Sequence, residues 1–331
     1  MRLFKPVIKP ASFLAGLVLL CVFASSITIP QQDGFNVNEV ATDSLALRVK
    51  LGKMLFYEKA MSRDSSLSCG SCHQQKLAFT DGLKTSRGFK GQFVKRNAPT
   101  LTNVKNQKSF LRDGVNPSLE TQVLVPIQEH DEFDFHILLI VERLKMDSTY
   151  VRLSKMAFSR APDPYVITHS IAAFERTLVS NDSPFDHFRK GDSLALNESE
   201  LRGMHLFINQ LYCGECHNGP DLTNHEFANN GLFLAYKDTG RMRLTRRERD
   251  RAVFKVPTLR NIGLTGPYMH NGSFTTLEEV IEHYRAGGKA HVNKSAIIQP
   301  FEITKEEKTD LIHFLQSLTD LDFVNNSAYS P

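Results

Sequence analysis

Apolar side chains recur at helical spacing in four stretches of the chain, each bounded by residues that start or stop a helix. Leu47, Leu51, Met54 and Leu55 fall on one helix face. Leu201, Met204, His205 and Ile208 form a second face, behind a capping-box spacing of Asn197 and Glu200. That placement makes His205 a core or cofactor-edge residue rather than a ligand. Leu277, Val280, Ile281 and Tyr284 follow at i, i+3, i+4 and i+7 behind Thr276 and Glu279, and Gly287-Gly288 ends the run. Tyr284 lies on this apolar face, with His283 about 100° round the helix from it. A last helix opens at Thr304 with Glu307 and buries Leu311, Phe314, Leu315 and Leu318. The pattern predicts a mostly α-helical protein.

Segments outside the helices repeat. Gly52-Lys-Met-Leu55-Phe56 is echoed by Gly203-Met-His-Leu206-Phe207, and Pro99-Thr-Leu-Thr-Asn103 by Pro257-Thr-Leu-Arg-Asn261. Phe110 to Glu120 matches Tyr268 to Glu278. The last two pairs share one offset of 158 residues, as from Pro99 to Pro257. The expected plan is a duplication, with an N-terminal domain over 27–185 and a C-terminal domain over 186–331. The join falls near Asn181 to Glu198, where Asp, Ser, Pro and Gly accumulate.

Each half contains one C-x-x-C-H segment, Cys69-Gly-Ser-Cys72-His73 and Cys213-Gly-Glu-Cys216-His217. Two thiols three residues apart suit thioether bonds to the two vinyl groups of one porphyrin, and the following histidine suits the iron. The chain has five cysteines, of which only Cys21 lies outside these motifs, so no pair remains for a structural disulfide. A four-thiolate zinc site would leave both histidines unexplained. Two covalent c-type haems are therefore expected, on His73 and His217.

Residues 1–26 have the form of an export signal. Arg2, Lys5 and Lys9 precede an apolar run from Ala11 to Ala24 and the small residues Ala24-Ser25-Ser26. The strongly apolar part is short for a membrane span; its looser extension to Ile29 keeps an uncleaved anchor as the alternative. Leu20 before Cys21 is too bulky for a lipoprotein site. Covalent haem and an export signal together indicate the periplasm. Removal of the three leader cations takes the formal charge from +4 to +1, which gives no reason to expect a nucleic-acid partner. Six arginines between Arg241 and Arg251, with Glu248 and Asp250 among them, form a solvated loop or a docking patch for an acidic redox partner.

The sixth position of each iron decides its chemistry. At the 158-residue offset Tyr284 corresponds to Pro126, which has no side-chain donor, so one haem should be open and the other closed. Near Pro126 lie Gln122, Glu129, His130, Asp131 and Glu132, any acidic or imidazole member of which could move a proton during peroxide cleavage.

From about Leu51 to Gly288 the chain resembles the bacterial di-haem cytochrome c peroxidase family, which includes the MauG-type enzymes. The resemblance rests on Leu51-Gly-Lys-Met-Leu-Phe56, both haem motifs, Arg96-Asn-Ala-Pro-Thr-Leu101, Asp113-Gly114 with Leu119-Glu120, and Phe254 to Glu278. It implies two cytochrome c-like haem domains, with His73 on the peroxidatic haem and His217 on the electron-transfer haem. It further implies Gln122 and Glu132 as the distal pair, with Glu132 the acid–base residue. A calcium ion between the domains would be held by the Asn97 side chain and the carbonyls of Thr265 and Pro267. Two positions depart from the family pattern. Tyr284 stands where ordinary peroxidases have methionine, as in MauG-type enzymes, and should lower that haem's potential; Met269 and His283 are rival ligands. Arg112 stands where the family usually has tryptophan between the haems, and the chain contains no tryptophan. No histidine lies between His73 and His130, so no removable distal ligand is expected.

The leading expectation is reduction of hydrogen peroxide with electrons from a small cytochrome c or cupredoxin. A MauG-type oxidase acting on residues of a partner protein is the alternative, and a non-catalytic electron carrier is a third. A homodimer is open as an assembly.

Overall fold

The computed structural model describes residues 37–331, with side chains from Asp43 onward; the leader, Cys21 and the export-signal reading lie outside the described residues. Helices dominate, and the only paired strands among the described residues are Phe227–Ala228 and Phe254–Lys255, joined antiparallel. No helix among the described residues is long and apolar enough to cross a membrane.

Each half is built on a crossed helix pair. Helix Val37–Tyr57 begins inside the polar stretch before Leu47 and packs against Pro164–Glu175. Helix Glu198–His205 packs against Lys305–Gln316. One glycine sits at each crossing. A Cβ on Gly52 would lie 1.8 Å from the Ser170 carbonyl oxygen, and one on Gly203 would lie 2.0 Å from that of Asp310. The glycines allow backbone-to-backbone approach that any side chain would prevent. Leu51, Leu55, Phe56, Ile167, Ile171 and Phe174 fill the first core; Phe207, Leu311, Phe314 and Leu315 anchor the second.

The predicted caps form. Asn197, Thr276 and Thr304 each close a capping box with Glu200, Glu279 and Glu307, and Gly287 and Gly288 take φ of 74° and 66° after the helix Leu277–Arg285. One predicted face is wrong. Gly203 is buried within the helix, and Leu206 and Phe207 follow it at i+3 and i+4, so the inward face lies opposite the predicted one before the chain enters a π turn over Leu206–Gln210. Leu206 and Phe207 are buried, while His205 and Ile208 are exposed. His205 is therefore not a core residue.

The halves meet through reciprocal backbone hydrogen bonds. Asn97 N–H donates to the His270 carbonyl at 3.0 Å, and Lys255 N–H donates to the Arg112 carbonyl at 2.7 Å. At the 158-residue offset Asn97 corresponds to Lys255 and Arg112 to His270, so both bonds join the same two positions in opposite directions. Asn103 and Asn261, also one offset apart, both adopt a left-handed backbone. The chain then crosses back. Phe323 and Val324 bury themselves in the first core, not the second. Tyr57 Oη donates to the Tyr329 carbonyl at 2.7 Å, and Tyr329 Oη donates to the Thr177 carbonyl at 2.8 Å.

Candidate haem and peroxide site

The two C-x-x-C-H segments fold alike. Cys69–Cys72 is one helical turn capped by Ser68, and His73 N–H returns to the Cys69 carbonyl at 2.9 Å. Cys213–Glu215 is a 3₁₀ turn, and His217 N–H returns to the Cys213 carbonyl at 3.0 Å. Both imidazoles are pinned from behind. His73 Nδ1 lies 2.8 Å from the Phe79 carbonyl oxygen, and His217 Nδ1 lies 3.3 Å from that of Leu222. A carbonyl only accepts, so Nδ1 carries the proton and Nε2 keeps its lone pair. Burial holds both rings neutral: the His73 pKa is pushed down, and that of His217 falls to about 4. Left-handed turns at Ala78, Phe79 and Leu222 aim these carbonyls. Neutral imidazoles, oriented through Nδ1 beside paired thiols, fit a haem iron and its vinyl groups. The thiols are unpaired, and burial raises Cys72 to about 11 and Cys213 to about 12.

A cavity of about 790 Å³ opens beside the first motif, lined by Cys69, Cys72 and His73 and by Gln122, Pro126 and Glu132. Gln122 ends the helix Leu119–Gln122, and Pro126 sits inside the next, Leu124–Gln128. The chain then turns back on itself, with Phe133 N–H donating to the Pro126 carbonyl at 3.0 Å. This turn brings Glu132 over the cavity. Burial first, then the charges of Asp131 and Glu129, raise the Glu132 pKa to about 7. His130 instead pairs with Asp134 at 2.5 Å and is exposed, away from this arrangement.

Three residues that support the site, two in loops and one at a helix end, were not legible in the sequence. A Cβ on Gly88 would lie 1.9 Å from the Asp131 carbonyl oxygen, so glycine allows this segment to lie on the Glu132 turn; Phe89 N–H then donates to the Glu132 carbonyl at 2.7 Å. Glu175 lines the cavity with its buried Oε2 unpartnered. Asn230 hydrogen-bonds the Tyr284 side chain and donates through Nδ2 to Met269 Sδ at 3.0 Å. It thus stands between two of the expected rival ligands. Tyr284 lies near Cys213 and Cys216, and burial raises its phenol pKa to about 12. His283 turns away, its Nε2 3.0 Å from the Asn230 carbonyl oxygen.

Asn97, Thr265 and Pro267 all line the cavity. Asn97 Oδ1, however, accepts from Arg112 Nη2 at 2.5 Å. Calcium requires that oxygen at about 2.3–2.6 Å, so the expected calcium set does not fit a side chain already engaged by a cation. The arginine run is tied down. Arg243 pairs with buried Asp113, Arg241 donates to the Asp113 carbonyl at 3.1 Å, and Arg247 and Arg251 pair with Asp250 and Glu248 at 3.0 and 2.8 Å. Most of its charge serves internal contacts.

A largely helical protein with two such histidine–dithiol turns defines a di-haem c-type fold. Residues 46–194 match the model of the di-haem cytochrome c peroxidase family. The chain is 37% identical over 276 residues to the methylamine utilization protein MauG of Methylorubrum extorquens, covering 82% of this chain and 78% of that protein. It is 36% identical over 311 residues to the cytochrome c551 peroxidase of Nitrosomonas europaea, covering 92% and 90%. Among solved structures, a MauG-like protein associated with microbial copper homeostasis superposes with a TM-score of 0.81 at 34% identity, covering 86% of this chain and 92% of that one. The chain belongs to the di-haem cytochrome c peroxidase family, whose members carry two haems.

Proposed function

We propose that the protein is a periplasmic di-haem peroxidase that reduces hydrogen peroxide to water, taking electrons from a small cytochrome c or cupredoxin. One observation carries this reading: a half-buried carboxyl, Glu132, with its pKa raised to about 7, shares a cavity with His73 and with Pro126, which cannot ligate iron. The haems would be bound covalently, one through Cys69 and Cys72 with His73 on the iron, the other through Cys213 and Cys216 with His217 and Tyr284. A haem held by Cys69, Cys72 and His73 would supply redox-active iron for peroxide reduction. In the balanced reaction the O–O bond breaks, two electrons and two protons enter, and two waters leave. Ionised Glu132 takes the proton from the near oxygen and returns it to the far one, so that water is the leaving group. Gln122 orients the peroxide by hydrogen bonding. Such an acid–base group has no task in a simple electron carrier.

A MauG-type oxidase acting on a partner protein is the second reading, favoured by the position of Tyr284 beside Cys213 and Cys216 and by the similarity to MauG. Steady-state peroxide turnover with a reduced cytochrome, set against oxidation of candidate partner proteins, separates the two. Failure to consume peroxide in the presence of any reduced donor would exclude the first. Mass spectrometry of the mature protein should show two covalent haems and no reactive thiol.

We further propose an internal duplication of domains 27–185 and 186–331, supported by the reciprocal seam bonds and paired glycine crossings, and residues 1–26 as an export signal on their sequence pattern alone.

A further inference from the structure

Every polar atom of Asn97 is committed. Its N–H bonds the His270 carbonyl, its Nδ2 donates to the Leu83 carbonyl at 3.1 Å, and its carbonyl accepts from Arg112 Nε at 3.0 Å. Its Oδ1 accepts from Arg112 Nη2 at 2.5 Å. One guanidinium thus holds both acceptors of the residue, in the two-pronged geometry that arginine presents and a point cation does not. The neighbouring carboxylates already face other cations: Asp113 Oδ2 pairs with Arg96 and Arg243, its Oδ1 staying buried without a partner, and Asp238 pairs with Arg96. Lys255 donates to Gln107 Oε1 and to the Ser109 carbonyl, adding a second positive group at the seam. The charge of Arg112 is felt across it: after burial, it is the next cause depressing Lys255 to about 8 and His270 to about 4.

We propose that the Arg112 guanidinium is the resident cation between the two haem domains, and that the protein holds them in register without calcium. The inference rests on the family-implied calcium position at Asn97, Thr265 and Pro267, and is independent of which reaction the haems perform. A covalently tethered cation cannot be removed by a chelator, whereas a bound ion can.

The test uses the holoprotein dialysed against EGTA. Metal analysis should find calcium well below one ion per chain. Haem absorption and the melting midpoint should not shift when calcium is returned. One calcium retained per chain, lost in Asn97→Ala, would overturn the proposal, as would a chelator-induced spectral change reversed by calcium. Arg112→Gln supplies the second arm. Removal of the charge should lower the melting midpoint and make it rise again with added calcium. A variant as stable as the parent and indifferent to calcium would equally overturn the role assigned to Arg112. If the variant does not fold, the wild-type measurements still decide.

Discussion

Glu132 has its proton affinity raised by burial and by the charges of Asp131 and Glu129 to about 7. A raised carboxyl pKa leaves the group neutral below that value and ionised above it. If ionised Glu132 takes the first proton from peroxide, kcat/KM should climb as pH passes upward through about 7. Glu132→Gln should abolish that limb and cost roughly 10² or more in turnover, with both haems still counted by mass spectrometry; near-normal turnover would make Glu132 a bystander. Tyr284→Phe should alter the ferric spectrum and spin state of one haem only. Spectra identical to wild type would pass the ligand role to Met269, the sulfur held by Asn230. Tyr284 was legible because the 158-residue offset sets it against Pro126, whereas Glu132 was singled out from the acidic and imidazole residues near Pro126 only by the family resemblance. Gly88, Asn230 and Glu175 were not, because their roles arise where distant loops touch and no local periodicity records such contacts.

Helix starts were easily read at the level of elements, since Asn197, Thr276 and Thr304 announce themselves three residues ahead of a glutamate. Helix continuation was harder. The glycine crossing at Gly203 turns its own side inward, with Leu206 and Phe207, and leaves the more evenly apolar side with Ile208 facing out. The two glycine crossings lend themselves to direct test. Gly52→Ala or Gly203→Ala drives a methyl into a carbonyl at 1.8 or 2.0 Å, and overpacking of this kind costs about 1–3 kcal/mol or more. Thermal melts should drop in each variant; an unchanged midpoint would mean that the helix pair slides apart without penalty.

Across the whole molecule, the seam joins two similar halves by bonds that run both ways, but the chain does not respect their boundary. Residues 321–329 leave the second half and pack under the first motif. Gln75 Nε2 donates to the Asn326 carbonyl at 2.8 Å, and Phe79, whose carbonyl fixes His73, meets Phe323 and Tyr329 at ring separations of 5.6 and 6.4 Å. Phe323, Val324 and Tyr329 together contribute on the order of 5 kcal/mol of apolar burial. Truncation after Asp320 should therefore lower covalent haem incorporation at Cys69 and Cys72 while sparing Cys213 and Cys216, as read from the haem count of the two tryptic haem peptides; equal loss at both sites would contradict this division. The contact also turns order of synthesis into order of maturation. The second core runs from Phe185 to Leu318 and can close as soon as those residues exist. The core made first must wait, half-walled, for residues 321–329, which are made after both, so the haem on His217 should settle into its final environment before the haem on His73.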